Sequence, residues 1–138
     1  MRRRLALIVA LVAAPFLFAA GLFWMYLPWI TPAGPGRWRL GPKNRFEKNR
    51  ATFLRRAEAI LVHDENGFHA LSAVCTHQSC LVKPSNARKL ITCSCHGAAF
   101  EFDGQVARPP ATRPLPRFAV IEENGELILD TTRAPRSG

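Results

Sequence analysis

Charge is absent from Leu5 to Ile30, a run of 26 residues. As a helix it would be about 39 Å long, against a bilayer hydrocarbon core of about 30 Å. The run predicts a retained membrane anchor, because a cleaved secretory signal has only about 7 to 15 apolar residues before a small-x-small site, and here it continues past Ala19-Ala20. Trp24, Tyr26 and Trp29 cluster where an aromatic belt would meet the lipid-water boundary, and Pro15 and Pro28 are placed to kink and to end the helix. Thr31-Pro-Ala-Gly-Pro-Gly36 and then Gly41-Pro42 cannot continue a helix and read as a linker. Residues 43 to 58 are basic and mixed, with no period that selects an element. From residue 59 the pattern is that of strands. Ala59-Ile-Leu-Val62 and Phe68-His-Ala-Leu-Ser-Ala-Val74 flank Asp64-Glu-Asn-Gly67, and Phe118-Ala-Val-Ile121 and Glu126-Leu-Ile-Leu-Asp130 flank a second Glu-Asn-Gly at 123 to 125. Asn-Gly between apolar runs is a strong hairpin signal. The expected organisation is an anchor over 1–30, a Pro/Gly hinge linker over 31–42, and a head over 43–138. The head is predicted to be a mainly β, small antiparallel sandwich or open barrel.

The 138 residues leave room for one compact domain beside the anchor. Nineteen Lys and Arg against ten Asp and Glu give a net charge of +9. Such basicity ordinarily raises nucleic acid as a partner, but its distribution argues otherwise. Residues 31 to 60 hold eight basic and two acidic residues, while residues 61 to 138 hold eight of each. The positive charge flanks the apolar run instead of covering the C-terminal half, so no nucleic-acid role is expected. Arg2-Arg3 ahead of the run resembles a twin-arginine export signal. We therefore expect a single-pass membrane protein with a cytoplasmic N-terminus and an exported, periplasmic head, although Arg37, Arg39, Lys43, Arg45, Lys48 and Arg50 beyond the run count the other way.

The chemistry lies between the hairpins, at Cys75-Thr-His-Gln-Ser-Cys80 and Cys93-Ser-Cys-His-Gly-Ala-Ala-Phe100. All four cysteines and two of the four histidines fall in these two boxes, which points to a metal site. Zinc accepts such donors, but its structural sites favour C-x-x-C and H-x-x-x-H pairs. Two Cys and two His with two Cys left over suggest a cluster and a disulfide. His63 and His69 lie outside both boxes and read as surface or packing residues, and Arg37 and Trp38 as juxtamembrane ones. No phosphate loop, Ser-His-Asp order or paired-carboxylate signal supports hydrolytic or phosphoryl chemistry.

At these residues the chain resembles the Rieske iron-sulfur proteins of quinol-oxidising cytochrome bc complexes, whose boxes read C-T-H-x-G-C and C-P-C-H-G-S. The resemblance extends through Phe102-Asp-Gly-Gln-Val, Arg108-Pro-Pro-Ala and Pro114-Leu-Pro-Arg-Phe. It implies a two-iron, two-sulfur cluster with Cys75 and Cys93 on the inner iron and His77 and His96 on the outer one, and a disulfide between Cys80 and Cys95. It implies too that His96, with His77 the alternative, contacts quinol, and that the proline loop covers the cluster. Neutral imidazole leaves such a cluster less negative than thiolate does and brings a second ring nitrogen able to exchange a proton. The implied function is electron transfer from quinol to a cytochrome. The chain would act as one redox subunit beside cytochrome b-type and cytochrome c-type subunits and membrane lipid, because the quinol pocket needs a partner this short chain cannot supply. A Rieske subunit of another exported oxidoreductase, such as an arsenite oxidase-like enzyme or an unusual respiratory or photosynthetic complex, is the alternative. A soluble Rieske ferredoxin or oxygenase component is disfavoured by the anchor and the two extra cysteines.

The boxes also depart from that family. High-potential members carry a Ser after the box-two His-Gly and a Tyr two residues later, each donating a hydrogen bond towards the cluster sulfurs; here these are Ala98 and Phe100. Losing two donors is expected to lower the reduction potential. Ser79 stands where the family has Gly.

Overall fold

The computed structural model describes residues 13–26 and 35–132, which fall in two separate compact units, one ending at Ala33 and the other starting at Gly34. In the first unit residues 13–26 are helical, with Phe16, Leu17, Phe18, Phe23, Trp24, Met25 and Tyr26 all exposed. No helix among the described residues is long and apolar enough to cross a membrane. The twin-arginine-like start, Pro28, Trp29 and residues 31–34 of the expected linker lie outside the described residues.

The second unit is mainly β. Its strands are β1 (Arg37–Pro42), β2 (Arg50–Leu54), β3 (Ala59–Asp64), β4 (Gly67–Ser72), β5 (Val82–Ser85), β6 (Leu90–Cys93), β7 (Ala99–Glu101), β8 (Val106–Arg108), β9 (Arg117–Glu123) and β10 (Glu126–Asp130). They form a six-stranded sheet in the order β1-β10-β9-β4-β3-β2 and a four-stranded sheet in the order β5-β6-β7-β8. Every neighbouring pair is antiparallel.

The six-stranded sheet encloses Ala59, Leu61, Ala70, Leu127 and Leu129, with Trp38, Leu40, Phe68, Phe118 and Val120 packed against them. Side chains alternate across a strand, so Ile60 and Val62 of β3 point the other way. There they join Ala51, Leu71, Val82, Ile91 and Phe100 in a second core shared with the four-stranded sheet. Both faces of β3 are therefore covered, which explains why Ala59-Ile-Leu-Val62 is a continuous apolar run and not an alternating one. Ile60, Leu61, Leu71 and Phe100 are among the largest fully buried side chains, each stabilising the fold by about 1.5–3 kcal/mol.

Part of the expected linker belongs to this unit. Residues 37–42 are strand β1, paired with β10 from Arg37↔Asp130 to Pro42↔Glu126, with a register shift between Arg39 and Gly41. Gly41 takes φ +90 at that shift, a value that glycine accepts without strain and that lets the strand bulge. The residues read as linker punctuation thus end an edge strand. Residues 43 to 58, which had no readable period, contain β2 between two short 3-10 turns at Lys43–Arg45 and Arg55–Ala57.

Both hairpins are present, but their shared Glu-Asn-Gly works in two registers. In the second, Glu123 pairs with Glu126 and the tip is Asn124-Gly125, both at positive φ, as a type I′ turn requires. In the first, Asp64 pairs with Gly67, and the tip is Glu65-Asn66 with the positive φ passed on to Gly67. The Asp64 carboxylate accepts a bond from the Asn66 amide at 2.8 Å and sets that difference.

Candidate metal centre

Strand β4 leaves the large sheet at Ser72, and the chain enters the first box before returning as β5; the second box joins β6 to β7. The two loops share one backbone plan. The Cys75 amide donates to the Cys80 carbonyl at 2.8 Å, and the Cys75 carbonyl accepts from the Ser79 amide at 2.9 Å. In the second loop the Cys93 amide donates to the Ala98 carbonyl at 2.8 Å, and the Cys93 carbonyl accepts from the Gly97 amide at 3.1 Å. The fourth residue after each first cysteine is left-handed, Ser79 at φ +56 and Gly97 at φ +78. Aligned on Cys75 and Cys93 the two boxes share no other residue, so the repeat is one of backbone and not of sequence.

The plan sorts the donors by depth. Cys75 and Cys93 are free thiols, each 3% exposed and both part of the core shared by the two sheets. His77 and His96 stand exposed at the tips of different loops, ring centroids 5.1 Å apart and nearly perpendicular at 82°. Cys80 and Cys95 are joined in a disulfide, their Cα atoms 6.6 Å apart. Sulfur atoms of Cys80, Cys93 and Cys95 all lie within 4.8 Å of one another, but two of these are consumed by the disulfide and are poor ligands. Four donors of the expected types therefore remain, two buried thiols and two adjacent exposed imidazoles. This soft-plus-imidazole set fits an iron-sulfur centre.

The proline-rich segment closes over the first box. The Thr76 hydroxyl donates to the Arg113 carbonyl at 2.7 Å, and Ala111 and Leu115 insert into the shared core. The Pro109-Pro110 bond is cis. Gly104 anchors the segment's base, its carbonyl accepting from the Leu115 amide at 2.8 Å. A Cβ there would stand 2.9 Å from Leu71 Cδ2 and 3.3 Å from the Leu115 carbonyl, so glycine is required for this approach. Thr76 and Gly104 were not singled out from the sequence, since neither is a donor to a metal.

His63 and His69 stand apart from the centre, as expected of packing residues. His63 stacks on Phe68 at 3.9 Å and its Nδ1 pairs with the Phe46 carbonyl, while His69 Nε2 pairs with the Phe102 carbonyl and its Nδ1 faces Asp64 at 3.4 Å.

Comparison with known proteins agrees with this geometry. The Rieske [2Fe-2S] domain matches residues 40–119. The chain is 36% identical over 72 residues to the cytochrome b6-f complex iron-sulfur subunit of Chlorobaculum tepidum, covering 52% of this chain and 40% of that protein. It is 38% identical over 79 residues to the subunit of the same name from Gloeobacter violaceus, covering 55% and 42%. The chain thus spans well under half the length of these relatives. Among solved structures, the plasma membrane Rieske protein PetC3 of Synechocystis PCC 6803 superposes with a TM-score of 0.56 at 24% identity, over 67% of this chain and 98% of that one. The ferredoxin of carbazole 1,9a-dioxygenase from Nocardioides aromaticivorans IC177 gives 0.53 at 17% identity, over 70% and 99%. At these identities the two structures speak for the fold alone. Since the domain match takes in both boxes, the proline segment and more than half of the residues, the chain belongs to the Rieske [2Fe-2S] domain family.

Proposed function

We propose that this protein is a membrane-anchored electron-transfer subunit of a quinol-oxidising cytochrome complex, taking an electron and a proton from quinol and passing the electron to a cytochrome. The observation that carries the reading is the opposite burial of the two donor types, thiols inside and imidazoles at the surface. Cys75 and Cys93 would hold the inner iron and His77 and His96 the outer. The buried thiols sit in an apolar core that excludes water, and the disulfide ties together the loops that present the imidazoles. When bound, a cluster of this type supplies a one-electron acceptor. Each imidazole would use one ring nitrogen as ligand and leave the other for solvent or substrate. At His96 that free nitrogen would accept a hydrogen bond from a quinol hydroxyl and then its proton, while His77 completes the exposed pair.

The relatives named as cytochrome b6-f subunits support cytochrome b-type and c-type partners for this chain. The anchor is supported by the uncharged run from Leu5 to Ile30 and by the exposed aromatic and aliphatic side chains of the helix over residues 13–26. The part of the Pro/Gly segment before Gly36 would be the hinge, since Gly36 is bonded through its amide and its carbonyl to Thr131 of the head. Export of the head is supported by the disulfide, which persists in oxidising compartments.

Electron paramagnetic resonance of the reduced full chain tests the cluster. The signal of a Cys/His-ligated two-iron centre is expected, and His96→Ser should abolish it. Stoichiometric zinc with no such signal would refute the reading. Rapid mixing of the oxidised protein with decyl-ubiquinol or menadiol should then bleach the cluster on a pH-dependent time course.

A further inference from the structure

The head separates its charges by end. The ion pairs between acidic residues and Lys or Arg lie along β1, β2 and the hairpin tips: Arg37–Glu123, Arg39–Glu126, Lys43–Glu122, Lys48–Glu65 and Arg50–Glu47. At Glu65 the hydrogen bond from Lys48, followed by that from Asn49, holds the carboxyl below its ordinary range. Around the histidines the pattern reverses. Residues 66–100 and 104–121 contain Lys83, Arg88, Lys89, Arg108, Arg113 and Arg117 and no carboxylate side chain. Lys89 donates to the Asn49 carbonyl and Arg117 to the Asp103 carbonyl, so these two are held by backbone away from the tips.

Three of the remaining cations lie beside the boxes. Arg108 pairs in register with Ala99, three residues after His96. Arg113 follows the proline pair, and its carbonyl is bonded to Thr76, the residue before His77. Lys83 pairs with Thr92 next to Cys93. All three are exposed, and among the described residues none has an ion pair. Leu81, 42% exposed and bridged to Val74 beside the disulfide, adds an apolar contact. The carboxylates at this end of the large sheet are Glu58, half-buried in the turn before β3, and Asp130, 4% exposed at the end of β10. Asp64, Glu65, Glu122, Glu123 and Glu126 stand at the opposite, turn-bearing end, and Glu101 and Asp103 at the far end of β7.

We infer that the histidine-bearing end of the head docks on an acidic face of its protein redox partner, with Arg108, Arg113 and Lys83 ringing the contact and Leu81 at its apolar part. The inference rests on the electron-transfer reading above, since it places the charged ring around the exposed imidazoles through which an electron would leave. Unpaired cations around a redox edge raise the local concentration of a negative partner and speed its encounter, with a strong dependence on salt. A protein is favoured over a lipid surface because the ring surrounds the imidazoles themselves.

The test uses the full chain with its cluster, reduced and held in neutral detergent, mixed in a stopped-flow instrument with a basic cytochrome c or with the same cytochrome after succinylation of its lysines. At low ionic strength the succinylated form should be reduced at least about tenfold faster, and the advantage should vanish in high salt. Arg108→Gln/Arg113→Gln should erase that advantage with the cluster's resonance spectrum unchanged. Lys43→Gln/Lys48→Gln, removing the same net charge from the hairpin-tip end, should keep it. Equal rates for the two cytochromes, or equal losses in both double variants, would overturn the inference. So would an effect of the Arg108/Arg113 variant seen only in vesicles containing phosphatidylglycerol, which would assign the ring to lipid. A reduced protein without the cluster signal, or one that passes electrons to neither cytochrome nor to benzoquinone, would instead sink the electron-transfer reading.

Discussion

Replacing Ser79 by glycine should stabilise the protein, and the reverse change at Gly97 should weaken it. Both residues occupy the same place in the two loops, four after the first cysteine, with their amides bonded to its carbonyl. Both are left-handed, at φ +56 and +78. A residue with a Cβ pays about 1–2 kcal/mol to hold that conformation. Glycine gives back roughly 0.5–1 kcal/mol through the greater freedom of its unfolded chain. Ser79→Gly should therefore gain about 0.5–1 kcal/mol, or about 2–8 °C in the midpoint of unfolding for a domain of this size. At Gly97 no atom lies within 4 Å of where a Cβ would stand, so Gly97→Ser meets no protein clash and should lose a similar amount through backbone strain alone. The assay is thermal bleaching of the cluster's visible absorbance alongside circular dichroism. The exchange of both residues should return the midpoint to near that of the natural protein, provided the two loops act independently. A lower midpoint for Ser79→Gly, or a higher one for Gly97→Ser, would refute the shared-plan argument.

Other consequences can be checked separately. Ala98 and Phe100 are almost fully buried beside the second box, so Ala98→Ser and Phe100→Tyr should raise the cluster's midpoint potential by adding donors towards its sulfurs. A redox titration showing no rise would remove the explanation, and the natural protein is expected below the upper third of the range of roughly −150 to +300 mV spanned by Rieske centres. Cys80→Ser opens a bridge whose cysteines are 15 residues apart. The loss should be roughly 3 kcal/mol, seen as faster cluster release to a chelator, and an unchanged release rate would argue against a stabilising role. Gly104→Ala, at φ +92 with contacts to Leu71 and the Leu115 carbonyl, should lose about 1–3 kcal/mol. A thermal midpoint equal to that of the natural protein would show that the proline segment can shift freely.

The parts of this molecule that were legible in its sequence are those written locally. The two hairpins follow from apolar runs around Asn-Gly, and the two boxes from donors packed into a few residues. The disulfide between Cys80 and Cys95 came through the family resemblance, and the structure contains it. Strand β1 was hidden because its partner is β10, almost ninety residues away, and because its inward residues are only Trp38 and Leu40 among charges, glycine and proline. Strand β2 was hidden for a related reason. It is an edge strand with a single buried residue, Ala51, so it has no alternation to read. The turn registers could not be told from Glu-Asn-Gly itself, since the preceding Asp64 decides one of them. Nor does any local pattern announce that cations near the histidines lack partners, which depends on where the carboxylates fold.

The covering of β3 on both faces has a consequence for how the molecule comes apart. Leu61 belongs to the interior of the six-stranded sheet and Ile60 and Val62 to the layer beneath the metal centre. A strand that is part of two interiors cannot leave one without opening the other. The large sheet and the loops that carry the donors should therefore melt as one cooperative unit, with the slowest amide hydrogen exchange along residues 59 to 62. Variation in the loops can alter what the centre does, whereas a substitution at Ile60 or Leu61 would be felt in both halves at once.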